Sequence, residues 1–548
     1  MKKRIVSFML TVMLFVVMAS GCKKENESNN NSDTETEVKT YQELAGDDSK
    51  VTVNWWIMGG MDEFYQYYWS EMAGLKKIQE ITGVDINFEV ASSYDVYLPM
   101  MTARNYPDVI TAKNLEKYSG RMAGMYNDGV SVSLNDYMAE WMPNFSEIVE
   151  QYPEIGKDLR LDNGEYTFVS TLYDINNDND RIAISERGLG IRQDWLDEVG
   201  LDVPTDMDEW FDVLTAFKKY DPNGNGEQDE KPVVMCSSGW KYFLPAYGID
   251  DDPSIDENGK VVYGFITQNY KEYLTELSKW YKEGLIYNMF EEVSIEAMQK
   301  EVTGNTAGAW KASAGDFDSS NDSSFISKLK EIAPNAEFSA CPWPKTADGY
   351  QWCFSDISSF DRDTTVITDK AVADGVDKAA AYIIDYMLSD EGSTYLCWGI
   401  EGESYNVVNG EKQLADGMEE MIDFHGKSIQ KWKTYADPVK INFPEFGELS
   451  DYIIKNMSEE YYNACKVWSE GDCSYKMMAP CQLSVEQEEA AERFSDQMKN
   501  YISKCRARFI QGTMNITDYD SYVKQVKDLG ADEYTKIWQE AYDSYMQR

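Results

Sequence analysis

The folded part of this chain begins with an apolar run that has the length of a β-strand. Helical and strand patterns alternate after it. Val51–Ile57 is the first run, and the Gly59-Gly60 pair that follows it is typical of a turn after a buried strand. Helix, strand, helix and strand are then predicted in the order Phe64–Ile81, Val84–Val90, Tyr94–Ala103 and Pro107–Thr111. Strands that alternate with helices form right-handed βαβ units, so we expect a mostly parallel sheet and an α/β fold.

A second cycle of strand and helix begins near Gly188, after a hairpin predicted for Glu165–Thr171. Asp206–Tyr220 is an amphipathic helix for which Thr205 is the expected N-cap. The other predicted elements of this cycle are Leu189–Arg192, Gln193–Val199, Lys231–Cys236, Val261–Phe265 and Tyr270–Tyr281. The C-terminal third is predicted to be mainly helical, over Lys378–Leu388, Tyr452–Cys465, Val485–Gln511, Asp518–Asp528 and Asp532–Arg548.

The N-terminus reads as an export signal that ends at a cysteine. Residues 2–4 are basic, and Ile5–Met18 is apolar except for two hydroxyl side chains. This run is shorter than the ~20 residues that a spanning helix needs, so residues 1–21 are predicted to be a signal peptide. Ala19-Ser20-Gly21-Cys22 looks like a lipobox, although Ala19 stands where the commonest ones carry Leu. We therefore expect Cys22 to be lipidated, the alternative being an ordinary secretory signal with a chance cysteine.

The segment that follows Cys22 is polar. Lys23–Asp47 is rich in Asn, Ser, Glu, Asp and Lys, so it buries too little apolar surface to offset the cost of ordering. Residues 22–47 are therefore predicted to be a disordered tether behind the lipidated cysteine. No later apolar run reaches spanning length, so lipid is the expected membrane contact, on the extracytoplasmic face of the cell membrane.

The charge of the chain excludes one class of partner. It carries 96 acidic and 51 basic residues, a formal net charge of −45. Such a surface repels phosphate backbones, which argues against nucleic-acid binding. It also argues against polyanionic ligands unless a local cationic pocket exists.

Of the nine cysteines, eight remain after lipidation of Cys22. None of them forms a Cys-x-x-Cys pair, and the sequence leaves open whether they form disulfides.

Several segments together resemble the family 1 extracellular solute-binding proteins of ABC importers, in the large lipoprotein branch with alginate- and oligosaccharide-binding members. These segments are Ile191–Leu201, Val203–Thr205, Asp221–Glu230, Trp280–Leu285, Gly399–Tyr405 and Asp518–Tyr545. The resemblance implies a two-lobed, periplasmic-binding-protein-like α/β fold with a ligand cleft between the lobes and a helix-rich C-terminal part. It also implies an N-lobe of residues 48–187 plus 303–385 and a C-lobe of residues 188–302 plus 386–548.

The same resemblance implies the partners and the activity. A carbohydrate, expected to be an oligosaccharide, would be held in the cleft and delivered to separate ABC permease subunits. The receptor itself is expected to be a monomer and not an enzyme.

One acidic loop has the spacing of a calcium site. Calcium takes six to eight oxygens, which a tightly turning loop supplies at alternate positions with Gly at the sixth. The predicted ligands are Asp221, Asn223, Asn225, the Glu227 carbonyl, Asp229 and Glu230. Position twelve is Pro232, so the loop is not an EF-hand, and a strand-like Val233-Val234 follows. Related lipoproteins use this loop for structural calcium; the alternative is a solvated Asn-Gly turn.

Aromatic residues are the candidates for the ligand cleft. Fifteen Trp and 37 Tyr are many for this length, and flat rings stack on the apolar face of a sugar. Carboxylates bind the hydroxyl rim, so the predicted ligand contacts are Trp310, Trp240, Trp55, Trp56, Glu403 and Tyr405. Strand alternation allows at most one of Trp55 and Trp56 to face the ligand. The alternative for all of these rings is a place in the core.

The sequence leaves little room for catalysis. His425 is the single histidine, which excludes any metal site that needs two. No Gly-x-Ser-x-Gly elbow is present, and Met421 replaces the first glycine that a phosphate loop at Gly426-Lys427-Ser428 would need. A glycosidase with two carboxylates stays open as an alternative, as does a surface adhesin.

Overall fold

The structure, a computed structural model, describes residues 38–548 except 59–63, 92, 114–117, 237, 288–289, 291, 354–357, 438–442 and 473–477. The predicted signal peptide, Cys22 and the Gly59-Gly60 turn lie outside these residues. Within them, no helix is both long and apolar enough to cross a membrane.

The strands are short, and their bounds agree with most of the sequence predictions. They are β1 (Val51–Met58), β2 (Val84–Ala91), β3 (Val109–Lys113), β4 (Val169–Leu172), β5 (Arg187–Arg192), β6 (Lys231–Val234), β7 (Ser254–Ile255), β8 (Val261–Val262), β9 (Ala307–Ser313), β10 (Phe338–Cys341), β11 (Phe360–Ile367), β12 (Tyr405–Val408), β13 (Glu411–Leu414), β14 (Met421–Phe424) and β15 (Lys427–Gln430).

Helices surround these strands and make up most of the C-terminal third. They are α1 (Tyr41–Ala45), α2 (Phe64–Glu71), α3 (Ala73–Thr82), α4 (Tyr97–Thr102), α5 (Arg121–Asn127), α6 (Asn135–Met138), α7 (Pro143–Gln151), α8 (Pro153–Leu159), α9 (Asp178–Ile184), α10 (Gln193–Val199), α11 (Met207–Lys219), α12 (Gln268–Lys282), α13 (Ile295–Thr303), α14 (Phe325–Lys330), α15 (Asp369–Asp374), α16 (Asp377–Met387), α17 (Asp390–Cys397), α18 (Leu449–Asn456), α19 (Glu459–Ser469), α20 (Val485–Ile510), α21 (Tyr519–Asp528) and α22 (Ala531–Tyr545).

Two sheets form the centres of the two lobes. The first has the strand order β2-β1-β3-β11-β4, with β1 parallel to both β2 and β3, as the alternation predicted. The second has the order β10-β5-β9-β6, with β6 parallel to β9 and β5 antiparallel to both of its neighbours. Helices pack on these sheets, so the α/β prediction is confirmed.

The connections between the sheets define where a ligand cleft lies. The chain leaves the first sheet at Leu172, the carboxyl end of β4, and enters the second at Arg187. It leaves the second sheet at Cys341, the carboxyl end of β10, and returns at Phe360, which pairs with Leu172. Because Arg187 pairs with Ser313, the last residue of β9, both connections join the carboxyl edges of the two sheets. The cleft therefore lies between these edges, as in open α/β proteins generally.

The strand pairing moves one lobe boundary. A return to the first lobe near Thr303 was expected, yet β9 and β10 both pair with β5 in the second sheet. The return instead lies between Cys341 and Phe360. Leu396, Trp398 and Tyr452 belong to the core of the first sheet, so the chain also stays with the first lobe well beyond Asp385. Pairing between strands more than a hundred residues apart cannot be read from local patterns, which is why the expected boundaries differ.

Local geometry corrects four smaller predictions. The helix expected over Phe64–Ile81 is broken at Met72, whose ψ of 127° is extended. Asp206, not Thr205, caps α11, because its side chain accepts the backbone N–H of Glu209. The hairpin before Thr171 is reduced to one bridge between Arg160 and Tyr166. The expected tether contains helix α1, where Tyr41 is buried and its ring lies 5.5 Å from that of Trp141.

The described cysteines are packing residues. Seven of them are free and buried, at positions 236, 341, 353, 397, 465, 481 and 505. Burial raises the pKa of the Cys481 thiol to about 12, which keeps it in the unreactive thiol form.

A buried carboxyl group at the first connection makes stability depend on pH. Burial raises the pKa of Glu445 to about 8, and one of its oxygens has no hydrogen-bond partner. A raised pKa in the folded state means that folding favours the protonated carboxyl group of Glu445. The resulting stabilisation of the folded state is complete below pH 4.5, the ordinary pKa of the group, and is lost as the pH rises through 8. We expect the melting temperature to fall by several degrees between pH 5.5 and pH 8.5. Glu445→Gln should reduce this slope, whereas Glu401→Gln, on the surface, should leave it unchanged; equal slopes in both variants would contradict the assignment.

Candidate functional site

The predicted calcium loop forms a tight turn after α11. Gly226 adopts a left-handed φ of 81°, which its missing side chain permits, and its N–H donates to Asp221 Oδ2 at 2.7 Å. The N–H of Asn225 donates to Asp221 Oδ1 at 3.1 Å, and the N–H of Glu227 donates to Asn225 Oδ1 at 2.7 Å. The side chains of Asp221 and Asn225 therefore accept hydrogen bonds from the backbone of their own loop.

Glu230 supplies the strongest sign that the loop needs a cation. Both of its carboxylate oxygens are buried and neither has a hydrogen-bond partner. Burial raises the pKa of Glu230, and the neighbouring carboxylates of Asp221 and Asp229 raise it further. A buried carboxylate without a donor beside two like charges is costly, and a divalent cation bound by Glu230 would offset that cost.

The amides of the loop lie around the same point. Asn223 Nδ2 and Asn225 Nδ2 each donate to Asp229 Oδ1 at 3.1 Å. A half-turn of each amide presents Oδ1 in place of Nδ2. Three or more Asp, Glu, His or Cys side chains do not converge on a metal position anywhere in the described residues, so amide and backbone oxygens would have to complete the ligand set. This donor chemistry suits calcium.

The loop is also connected to the second sheet. Asn223 Nδ2 donates to the carbonyl of Asn305 at 3.2 Å, just before β9. Asn305 Oδ1 accepts from Arg192, whose buried guanidinium also binds Asp194 through two hydrogen bonds. A cation that fixes the loop would therefore also brace the start of β9.

The structure places Trp310 and Trp240 in the core of the second lobe. Both are 0% exposed. The Trp310 ring lies 4.5 Å from Phe338 and 6.3 Å from Phe317, and the Trp240 ring lies 5.5 Å from Phe290. Rings packed by their own chain in this way do not offer a face to a sugar, so their position does not support the predicted ligand role.

Trp55 and Trp56 divide as strand alternation requires. Trp55 is a core residue whose Nε1 donates to Thr111 at 2.8 Å and whose ring meets Phe443 edge-on at 5.3 Å. Trp56 is 5% exposed and stacks on Tyr97 at 6.0 Å. It lies two residues before the carboxyl end of β1 and, like Trp55, belongs to the first core.

Glu403 and Tyr405 lie beside the hairpin formed by β12 and β13. Glu403 is exposed in a turn, whereas Tyr405 is buried with its ring 6.1 Å from Trp398. Tyr405 therefore packs on the first core, and Glu403 is the more accessible of the two.

Two aromatic residues of the second connection were missed by the sequence reasoning. The rings of Tyr350 and Trp352 lie 4.3 Å apart, and Tyr350 is 40% exposed. They lie between Cys341 and Phe360, in the segment that crosses between the lobes. No pattern in the sequence marks that segment as a crossing, because it was assigned to the interior of the N-lobe.

His425 lies at a hairpin turn, away from both connections. It contacts Glu71 at 3.1 Å and stacks on Tyr67 at 5.6 Å, with its side chain 44% exposed. This is the surface position that is usual for a single histidine.

The comparisons with known proteins agree with this architecture. No family model matches the chain. It is 22% identical to the polygalacturonan/rhamnogalacturonan-binding protein YtcQ of Bacillus subtilis (strain 168), over 99% of both chains. It is 23% identical to the fructooligosaccharide ABC transporter substrate-binding protein FusA of Streptococcus pneumoniae serotype 4, over 86% of each.

The solved structure of FusA in complex with kestose covers 90% of this chain and 99% of its own, with a TM-score of 0.66 and 21% identity. This chain is thus similar over most of its length to an ABC-transporter substrate-binding protein. An EF-hand mutant of FusA in complex with fructo-nystose, at 20% identity, also gives a TM-score of 0.66 and covers 90% of this chain and 99% of its own. The alginate-binding protein AlgQ2 without calcium ion gives a TM-score of 0.64 over 92% of this chain and 100% of its own, at 19% identity. The two-lobed fold and the resemblance seen in the sequence are thereby confirmed.

Glu488 makes one of the contacts that join the two lobes away from the connections; Tyr545 with Asp158 and Arg548 with Asp162 make others. Glu488 of α20, in the second core, accepts the backbone N–H of Gly120 at 2.6 Å and Nε of Arg121 at 2.8 Å. Gly120 is the N-cap of α5 in the first lobe and Arg121 is its first residue, with an unusual positive φ of 52°. The carboxylate is 8% exposed, so this charge-assisted contact is little screened by water.

Removal of this contact should loosen the two lobes. Glu488→Ala leaves a buried N–H without an acceptor, which costs about 1–3 kcal/mol, so we expect a larger radius of gyration in small-angle X-ray scattering of the ligand-free protein. Glu489→Ala, one residue along on the exposed side of α20, is the matched control and should leave the scattering unchanged. Superimposable curves for Glu488→Ala and the wild type would show that the contact does not hold the lobes together.

Proposed function

We propose that this chain captures a carbohydrate, an oligosaccharide, between its two lobes and delivers it to the membrane permease of an ABC importer. The observation that carries the proposal is the pair of connections that join the carboxyl edges of the two sheets. Ligands of open α/β proteins bind at such edges. Support comes from relatives aligned over nearly the whole chain that are named for sugar binding.

The proposed action is binding followed by closure, without chemistry on the sugar. The two lobes move about the connections, and the ligand stabilises the closed state because it contacts both edges there. Glu403 and Tyr350 are the side chains whose positions fit ligand contact best, and Trp55, Trp56, Trp240, Trp310 and Tyr405 act through packing.

Lobe boundaries follow from the pairing. We assign residues 48–187 and about 360–452 to the first lobe, and residues 188–341 and about 464–548 to the second. This division differs from the expected one at 303 because β9 and β10 lie in the second sheet, and at 385 because Leu396, Trp398 and Tyr452 belong to the first core.

Calcium is the proposed cofactor, with a structural role. Asp221, Asn223, Asn225, Asp229 and Glu230 would hold it through side chains and Glu227 through its carbonyl. The ion would neutralise the loop and fix it beside Asn305. The unpartnered oxygens of Glu230 support this assignment.

Anchoring by lipid on Cys22 is proposed from the lipobox. It would hold the protein, as a monomer, at the extracytoplasmic face of the cell membrane.

Calorimetric titration with neutral and acidic oligosaccharides, followed by chromatography of the recovered sugars, tests the proposal. We expect saturable binding of at least one oligosaccharide and its recovery intact. Binding of none would overturn the carbohydrate assignment. Recovery of shortened sugars would instead favour the glycosidase with two carboxylates.

A further inference from the structure

Basic side chains meet at the carboxyl edge of the second sheet. Arg187 begins β5, and Lys311 lies two residues before the end of β9. The register pairs Arg187 with Ser313 and Leu189 with Lys311. Paired residues share a face and so do residues two apart, so Arg187 and Lys311 are on one face of the sheet. This is the edge that both connections enter, and therefore the edge of the cleft.

A third basic residue approaches from the turn after β6. A Cβ built on Gly239 would lie 3.0 Å from Lys311 Cβ, so the segment Gly239–Tyr247 packs directly against Lys311. That segment carries Lys241, whose Nζ lies 3.6 Å from Asp251. Ser238 and Lys241 also line a cavity of about 140 Å³, together with Asp251 and Arg506.

Arg187, Lys241 and Lys311 form a basic cluster that the carboxylates of the chain neutralise only in part. Burial lowers the pKa of Lys311, and Arg187 and Lys241 lower it further, while Cys236 and Asp316 act in the opposite sense. In the part of the chain that the structure describes, neither Arg187 nor Lys311 forms an ion pair. The neighbouring carboxylate, Glu186, accepts a hydrogen bond from the hydroxyl of Tyr461 at 2.6 Å. Asp316 offsets part of the charge of Lys311 from within the chain, and an anion bound at the cleft would offset the rest.

The rest of the molecule makes this arrangement unusual. Acidic residues outnumber basic ones by 96 to 51, so a basic side chain has many possible partners in this chain. Arg187 and Lys311 nevertheless lie at the cleft without one. The net charge of −45 does not prevent an anion from binding here. At physiological salt, screening limits the range over which surface charges repel an anion to about 8 Å.

We propose that the ligand of this cleft is an acidic oligosaccharide, one that contains uronic acid, and that Lys311 and Arg187 bind its carboxylate. The proposal rests on the proposed function and narrows its substrate class. Arginine suits a carboxylate because its planar donors match the two oxygens, and lysine adds a point charge. Tyr350 of the second connection, which is 40% exposed, supplies aromatic surface for a ring of the same sugar.

Calorimetric titration of the calcium-loaded full-length mature protein with tri-galacturonate, and with the neutral trisaccharide kestose, tests this inference. We expect tri-galacturonate to bind more tightly than kestose, with an affinity that falls as sodium chloride is raised. Lys311→Met should weaken binding of tri-galacturonate about tenfold or more, because a charged hydrogen bond is lost. Lys330→Met removes an exposed lysine of α14 and should leave the affinity unchanged. The melting temperature of each variant shows whether it is folded.

The outcomes separate this inference from the proposed function. Tighter binding of kestose than of tri-galacturonate would overturn the acidic-sugar assignment and leave carbohydrate capture standing. Equal affinity of Lys311→Met and wild type for tri-galacturonate would overturn the role of Lys311. Binding of neither trisaccharide would overturn the acidic-sugar assignment, and the wider oligosaccharide titration then decides whether carbohydrate capture fails with it.

Discussion

Removal of calcium should lower the melting temperature of this protein by several degrees, and added calcium should restore it. The loop at Asp221–Glu230 contains a buried carboxylate, Glu230, whose two oxygens have no donor. Calcium that binds only the folded state stabilises it by about 2.7 kcal/mol when its concentration is a hundred times Kd. Differential scanning calorimetry with EDTA, and then with excess calcium, measures the effect.

Two variants make this test specific to the loop. Glu230→Gln removes a charge that is buried beside Asp221 and Asp229, so in EDTA it should melt at or above the wild-type temperature and gain little from calcium. Glu227→Gln changes an exposed side chain whose predicted contribution is its backbone carbonyl, so it should keep the full calcium response. A wild type that does not respond to calcium, or a Glu230→Gln variant that responds fully, would contradict the assignment.

Truncation of Trp310 should reduce stability far more than it reduces sugar affinity. The side chain is 0% exposed and packs between Phe338 and Phe317, so Trp310→Ala leaves a large cavity and is expected to cost about 3–5 kcal/mol. Urea denaturation measures the loss, and titration at a temperature where the variant is folded measures the affinity.

The control for this prediction is an aromatic residue on the surface. Tyr67 is 55% exposed, so Tyr67→Ala should change the free energy of unfolding by less than about 0.5 kcal/mol. A Trp310→Ala variant of nearly native stability with strongly reduced sugar affinity would contradict the structure and restore the ligand role that the sequence suggested.

The sequence predicted those features that depend on near neighbours in the chain. The alternation from Val51 onward predicted the parallel pairing of β1 with β2 and β3. The tight turn around Gly226 was predicted because the residues that form it lie within ten positions. Helix α20 was predicted almost to the residue, since Ser484 and Gln487 form a capping box.

Features that depend on distant parts of the chain were not predicted. Trp240 and Trp310 follow strands at positions where loops often carry ligand contacts, but Phe290 and Phe338 cover them in the fold. The pairing of β9 with β5 joins residues more than a hundred positions apart, so the return to the first lobe was placed too early. Arg187 and Lys311 meet only through that pairing, and no local pattern marks them as neighbours.

Small-angle X-ray scattering of the mature protein with and without a saturating oligosaccharide tests the central claim most directly. Capture between two lobes that move about the connections predicts a smaller radius of gyration and a shorter maximum dimension when the sugar is bound. A sugar that binds tightly, as calorimetry would show in the same buffer, while the two scattering curves stay superimposable would contradict closure of the lobes around the ligand.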